Sequence, residues 1–226
     1  MNKAARMISA ALAAVVAPLA GGCVSGLRSH QPVQQQYVLA LPLPGGAHLT
    51  TGPAGATNPA DAGSTLQVLL PLASAGLGTD GIAVMRPGQR LDYYSGARWA
   101  ASAPVMLQSM TIQALRRKGH FALVEPQGGP FDARYVLSLT LTHFEADYSG
   151  AGPPTVRVAL VCTLGRRADR TVAASFTVRS AVMANADRMQ AVVAAFERAS
   201  AAALVQLAAR LAPPSKESPQ QSTATP

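Results

Sequence analysis

Residues 133–147 read ARYVLSLTLTHFEAD, and their alternation decides the fold. Tyr135, Leu137, Leu139 and Leu141 alternate with Val136, Ser138, Thr140 and Thr142. A period of two places one apolar row inward and a largely polar row outward, the signature of a half-buried strand. The same period returns downstream. Val156, Val158, Leu160, Cys162 and Leu164 share a face in TVRVALVCTL, and Val172, Ala174, Phe176 and Val178 do so in TVAASFTV. GRRADR (165–170) lies between these two runs as a basic hairpin tip.

Upstream, YVLAL (37–41), TLQVLLPLA (65–73), GIAVM (81–85) and LDYY (91–94) read as strands, with RPGQR turning the last two into a hairpin. FALVE (121–125) adds one more. Two segments change to helical spacing. SAPVMLQSMTIQALRRKG has Ser102 as a cap, Pro104 in the first turn and an apolar face of Met106, Leu107, Met110 and Ala114. Its close at Arg116, Arg117 and Lys118 suits the negative end of the helix dipole, and Gly119 stops it. NADRMQAVVAAFERASAAALVQLAARLA has Asn185 as cap, with Met189, Val192, Val193, Phe196, Leu204, Leu207 and Leu211 on one side. These elements predict an α+β fold: a mostly antiparallel β-sheet with two helices packed on one face, a two-layer sandwich.

The first residues read differently. Lys3 and Arg6 precede an uncharged run, MISAALAAVVAPLA, and GGC closes it, the layout of a secretory signal over 1–22. LAGGC (19–23) resembles a bacterial lipobox, in which the cysteine thiol receives diacylglycerol and becomes the new N-terminus. Ala20 stands where a larger residue is usual, and ordinary signal cleavage near Gly22 is the competing reading. Val24 follows the cysteine, where an aspartate typically retains such proteins in the inner membrane, so the resemblance favours the outer membrane. Residues 23–36 then form a lipidated tether, 37–212 the folded domain, 42–64 a Pro/Gly-rich flexible loop within it, and 213–226 a disordered tail. No segment after the signal reads as a membrane span, because the C-terminal helical run carries Glu197, Arg198 and Arg210.

The formal net charge is +8, and removing Lys3 and Arg6 leaves 17 basic and 11 acidic residues, a net of +6. A modest positive surface suits anionic head groups or acidic partners. No dense basic stripe or binding motif points to nucleic acid, and export opposes it. Of the two cysteines, Cys23 is the lipidation candidate and Cys162 falls in a strand as a small buried residue.

Chemistry finds no foothold. His30, His48, His120 and His143 share no metal-ligand spacing, and neither a nucleophile elbow nor a phosphate loop occurs. Glu145 and Asp147 share a side of their strand and read as a solvated strand end. Met106 and Met110 read as core packing rather than a lipid groove. No catalytic, metal or cofactor-binding residue emerges, so the chain reads as a non-enzyme with no cofactor beyond the lipid on Cys23. The candidate partner surface is Tyr94, Arg98 and Trp99 in LDYYSGARWA (91–100), with Arg166, Arg167 and Arg170 at the hairpin tip. Within the first group core packing is the competing role, with Trp99 pinning the helix start while its N–H finds a partner and Gly96 permitting a tight bend.

YVLALP, LLPLA, GIAVMRPGQRLDYYSGARWA, GHFALVEP, ARYVLSLTLTHFEAD and VVAAFERASAAALVQL together resemble the ABC-type transport auxiliary lipoprotein family over about 37–211. The most specific matches are Tyr93, Tyr94, Arg98 and Trp99, and Ala195, Phe196 and Ala199. The resemblance implies a periplasm-facing outer-membrane lipoprotein that docks a lipid-transport apparatus. That apparatus comprises an ABC permease and ATPase and a mammalian-cell-entry-type substrate-binding protein, and the auxiliary chain would act there as a homo-oligomer. Direct lipid carriage and a structural role in another envelope machine are the alternatives.

Overall fold

The long strand at 135–147 is where the sheet is joined. The structure, a computed structural model, describes residues 34–41 and 64–211, which fall in one compact unit, Gln34–Pro226. The signal, Cys23, most of the 42–64 loop and the tail lie outside the described residues. In chain order the elements are β1 (Gln35–Tyr37), β2 (Thr65–Val68), β3 (Leu72–Ala73), β4 (Gly81–Arg86), β5 (Arg90–Trp99), α1 (Ala103–Lys118), β6 (Leu123–Pro126), β7 (Tyr135–Asp147), β8 (Thr155–Arg166), β9 (Thr171–Met183) and α2 (Met189–Arg210). The TLQVLLPLA run is two strands rather than one. Pro71, which has no N–H to give to a ladder, separates them.

The fold is α+β, but the sheet is mixed, and the expectation of a mostly antiparallel sheet is corrected. The long meander β7–β8–β9 and the β4–β5 hairpin are antiparallel. The remaining pairings, β1 on β5, β2 on β6 and β7, β3 on β7, and β4 on β7, are all parallel. Adjacent hairpins are visible in a sequence because a short turn joins them. The parallel pairs here join strands far apart in the chain, across helices and loops.

Alternation survives a break in β7. Leu137, Leu139 and Leu141 are fully buried, then the register against β8 shifts between Leu141 and His143. Thr142 is the extra residue, and beyond it Phe144 and Ala146 occupy the core. The bulge keeps both strands in phase: Leu141 sits opposite Leu160, and Phe144 opposite Val158.

A single buried cluster joins the inward rows of β7 and β8 to both helices. At its centre Trp99, Phe144 and Phe196 form a triangle with ring centroids 4.9–5.9 Å apart. Such tilted and edge-on pairs add about 0.5–1.5 kcal/mol each beyond area burial. Gly119 ends α1 in the left-handed conformation at φ +68°, its N–H bonded to the Leu115 carbonyl 3.3 Å away. Ser102 stands at the helix entry without a side-chain cap bond. The second helix starts after Arg188, three residues beyond Asn185. At 22 residues and mean hydropathy 1.4 in its most apolar window, α2 is long and apolar enough to cross a membrane, contrary to the sequence reading. Its Val192, Phe196, Leu204 and Leu207 are instead buried in this core. Gln206 on its outer side grips the free edge of β9. The Gln206 amide donates to the Arg179 carbonyl at 2.9 Å and accepts from the Arg179 N–H at 3.5 Å.

Candidate functional site

Strand β5 bulges strongly against β4. Ala83 pairs with Tyr93 but Gly81 pairs with Arg98, so five residues of advance on β5 face two on β4. Gly96 takes up the excess at φ +71°, a conformation glycine adopts without steric cost. This bulge distributes the aromatic residues differently from expectation. Trp99 is 1% exposed and packed on Phe196, so it offers no surface. Its indole N–H has no partner among the described residues, contrary to the expected hydrogen bond.

Tyr94 is half-buried. Its hydroxyl meets that of Tyr148 at 2.7 Å, and Tyr148 donates onward to Asp187 just before α2. The Arg86 guanidinium lies 5.1 Å from the Tyr148 ring centre. Burial first, then the Asp187 and Tyr94 contacts, raises the Tyr148 phenol above its ordinary value; burial raises Tyr94 as well. The outward tyrosine is Tyr93, 45% exposed. Its ring lies on Gly81, where a Cβ would come within 2.5 Å of it, and its hydroxyl donates to the Gly76 carbonyl at 2.8 Å. Arg98 is partly exposed and paired with Asp80 at 3.3 Å. The surface around this stretch is therefore Tyr93 and Arg98, while Tyr94 and Trp99 hold the fold.

At the β8–β9 tip, Arg166 pairs with Asp169 at 2.8 Å. The Thr171 hydroxyl and Arg166 hold Asp169 down to about 2. Arg167 reaches the Gln67 side chain on β2 at 2.8 Å, and Arg170 is exposed at φ +56°.

The face of β7–β9 away from the helices carries an open groove of about 750 Å³. His143, Arg157, Ala159, Val161, Thr177 and Arg179 line it. Beside it, Glu145 and Asp147 do share a side of β7, but they are buried, at 2% and 5% exposure, rather than solvated. Glu145 sits across from Arg157 and accepts from the Phe144 N–H at 2.6 Å and from His143 Nδ1 at 2.8 Å. Burial pushes the Asp147 carboxyl up, but the Ser149 hydrogen bonds and Arg157, at 2.6 Å, outweigh it and hold it below the usual carboxylate range. A fixed period would set these two in the row of Leu137, Leu139 and Leu141; the Thr142 bulge turns them to the other face, and β4 pairs parallel beside that end of β7, Val84 with Ala146 and Met85 with Asp147.

A second groove, about 590 Å³, runs along α1. It is lined by Val38, Leu39, Leu41, Val105, Met106 and Met110, with Arg117 at one end. Both methionines are nearly buried, as core packing requires, yet they also floor this groove. Cys162 is fully buried, and burial pushes its thiol up to about 12, which makes it unreactive. Among the described residues no group of three or more His, Cys, Asp or Glu is placed to hold a metal ion.

The model of the ABC-type transport auxiliary lipoprotein component family matches residues 48–208. The chain belongs to that family. A Xanthomonas campestris protein described as a member of the DUF330 family is 27% identical, with a TM-score of 0.65 over 77% of this chain and 92% of that one. An uncharacterized protein of 14% identity shares the fold, at a TM-score of 0.57 over 66% and 92% of the two chains. No curated protein matches the chain. The family match begins inside the 42–64 segment, and the family's description makes the chain a transport auxiliary component and a lipoprotein.

Proposed function

We propose that this protein is a non-enzymatic docking component of a mammalian-cell-entry-type lipid transporter, held in the outer membrane by lipid on Cys23 and facing the periplasm. The family match across 48–208 carries this reading. The surface offered to the ABC permease, ATPase and substrate-binding protein is the β5 bulge, where Tyr93 and Arg98 stand outward over a rigid aromatic core. Affinity purification from detergent-solubilised envelopes recovers the transporter components with the parent chain and loses them with Arg98→Glu; repeated recovery of none with the parent sinks the proposal. Radiolabelled palmitate incorporation, abolished by Cys23→Ala, tests the anchor.

The α1 groove favours direct lipid carriage as the second reading. Its apolar floor and terminal Arg117 match an acyl chain and an anionic head group. Native mass spectrometry of Cys23→Ser then shows bound phospholipid, and an empty protein rejects this reading.

A further inference from the structure

One end of the molecule carries a cluster of exposed cations drawn from elements distant in sequence. Arg117 and Lys118 close α1, which leads through Gly119 to Phe121. The Phe121 ring packs on Tyr135 with centroids 6.1 Å apart. Tyr135 opens β7 and pairs across the sheet with Arg166. The Arg167 N–H donates to the Arg134 carbonyl at 3.0 Å, which ties the β8–β9 tip to the entry of β7. Arg117, Lys118, Arg134, Arg166, Arg167 and Arg170 are all exposed here, and Asp132 and Asp169 are the carboxylates set among them. Only Arg166 is neutralised by an ion pair among the described residues.

Apolar side chains stand out beside these charges. Phe131, three residues before Arg134, is 62% exposed, and Val172, two residues after Arg170, is 64% exposed. Arg170 itself holds φ +56° in the turn, where glycine or asparagine would fit without steric cost. An acidic protein segment would match the cations but leave a protruding phenylalanine and valine unexplained. Cations beside protruding apolar side chains are the pattern that binds a charged bilayer interface.

We propose that this end of the fold seats on an anionic phospholipid surface, through phosphate contacts from Arg134, Arg167 and Arg170 and shallow insertion of Phe131 and Val172. Alongside a lipid anchor it acts as an orienting contact, fixing which end of the fold faces the bilayer. The inference rests on charge and apolar exposure and is independent of transporter docking, so vesicle binding and envelope pull-down fail separately.

The test is co-sedimentation of the full chain carrying Cys23→Ser with vesicles of phosphatidylcholine alone or with 30% phosphatidylglycerol, at low and high salt, compared with the triple variant Arg134→Gln, Arg167→Gln, Arg170→Gln. Each arginine near such a surface is worth about fivefold in partitioning, so the triple change weakens binding to anionic vesicles by about 100-fold. The leader is common to both chains and cancels in the comparison. Phe131→Ser weakens binding to anionic vesicles by about tenfold at either salt concentration. Unchanged thermal midpoints confirm that the variants fold. Equal binding of parent and triple variant to anionic vesicles overturns the proposal. So does loss of the parent's binding to an acidic peptide, but not to vesicles, in the triple variant.

Discussion

Strands β7 and β8 are built from one alternating sequence, yet their two faces are held by different physics. The helix face is held by shape, with Leu137, Leu139, Leu141, Val158 and Leu160 and the Trp99–Phe144–Phe196 triangle all buried. The opposite face is held by partnership: Asp147 with Arg157, Glu145 with His143 and the Phe144 N–H. Loss of a packed side chain opens a cavity that neighbours cannot fill, whereas in these charge pairs the His143 and Arg157 partners are about half exposed, so water partly replaces a broken bond. The first face should therefore tolerate deletion less than the second.

Trp99→Ala is the largest expected blow to that contrast, a loss of about 3–5 kcal/mol in denaturant unfolding. Trp99→Phe costs less, because a ring remains against Phe196 and an unpaired N–H is removed. A loss from Trp99→Ala no greater than that from the open-face variants would erase the distinction. On the open face, Asp147→Asn should cost about 2 kcal/mol, the worth of hydrogen bonds to a charged group. The folded pKa of Asp147 lies below the unfolded value, so this stability is present above about pH 4 and lost as pH falls through the folded value. The parent and variant unfolding curves should thus converge in acid, and a gap that stays constant to pH 2 contradicts the assignment.

The tyrosine chain between β5, β7 and α2 is weaker still. Tyr148→Phe should cost about 1 kcal/mol, measured by thermal or urea unfolding. With Tyr94 and Tyr148 both raised, their contribution is present below about pH 10 and lost as pH rises through their folded values. An ultraviolet titration at pH 11 should show fewer tyrosinates in the folded chain than in the urea-unfolded one. Smallest of all is Ser200→Ala on α2. The Ser200 hydroxyl is buried without a partner among the described residues, so its removal should change stability by less than about 0.5 kcal/mol or raise it.

The sequence shows its local periods clearly. The antiparallel meander, both helices and the glycine stop at Gly119 follow from spacing of two, spacing of 3.6 and backbone freedom. What spacing cannot show is which distant strand lies alongside. The parallel insertion of β2, β3 and β4 against β7 is set by tertiary packing. The Thr142 bulge inverts the alternation for the rest of β7, so a fixed period misassigns every residue beyond it. A five-for-two bulge likewise decides which of two adjacent tyrosines faces out. Family resemblance marked Tyr93, Tyr94, Arg98 and Trp99 as a group, and the fold divides them between surface and core.

The grip of Gln206 on Arg179 has a consequence for how these molecules meet one another. Strand β9 is 13 residues long and ends the meander, so its outer backbone would otherwise be a template for templated fibre growth. The Gln206 amide fills one N–H and one C=O of that edge, and Arg198 donates to the Met183 carbonyl at 3.3 Å further along. Helix α2 thereby occupies part of the edge along which a second strand would otherwise add.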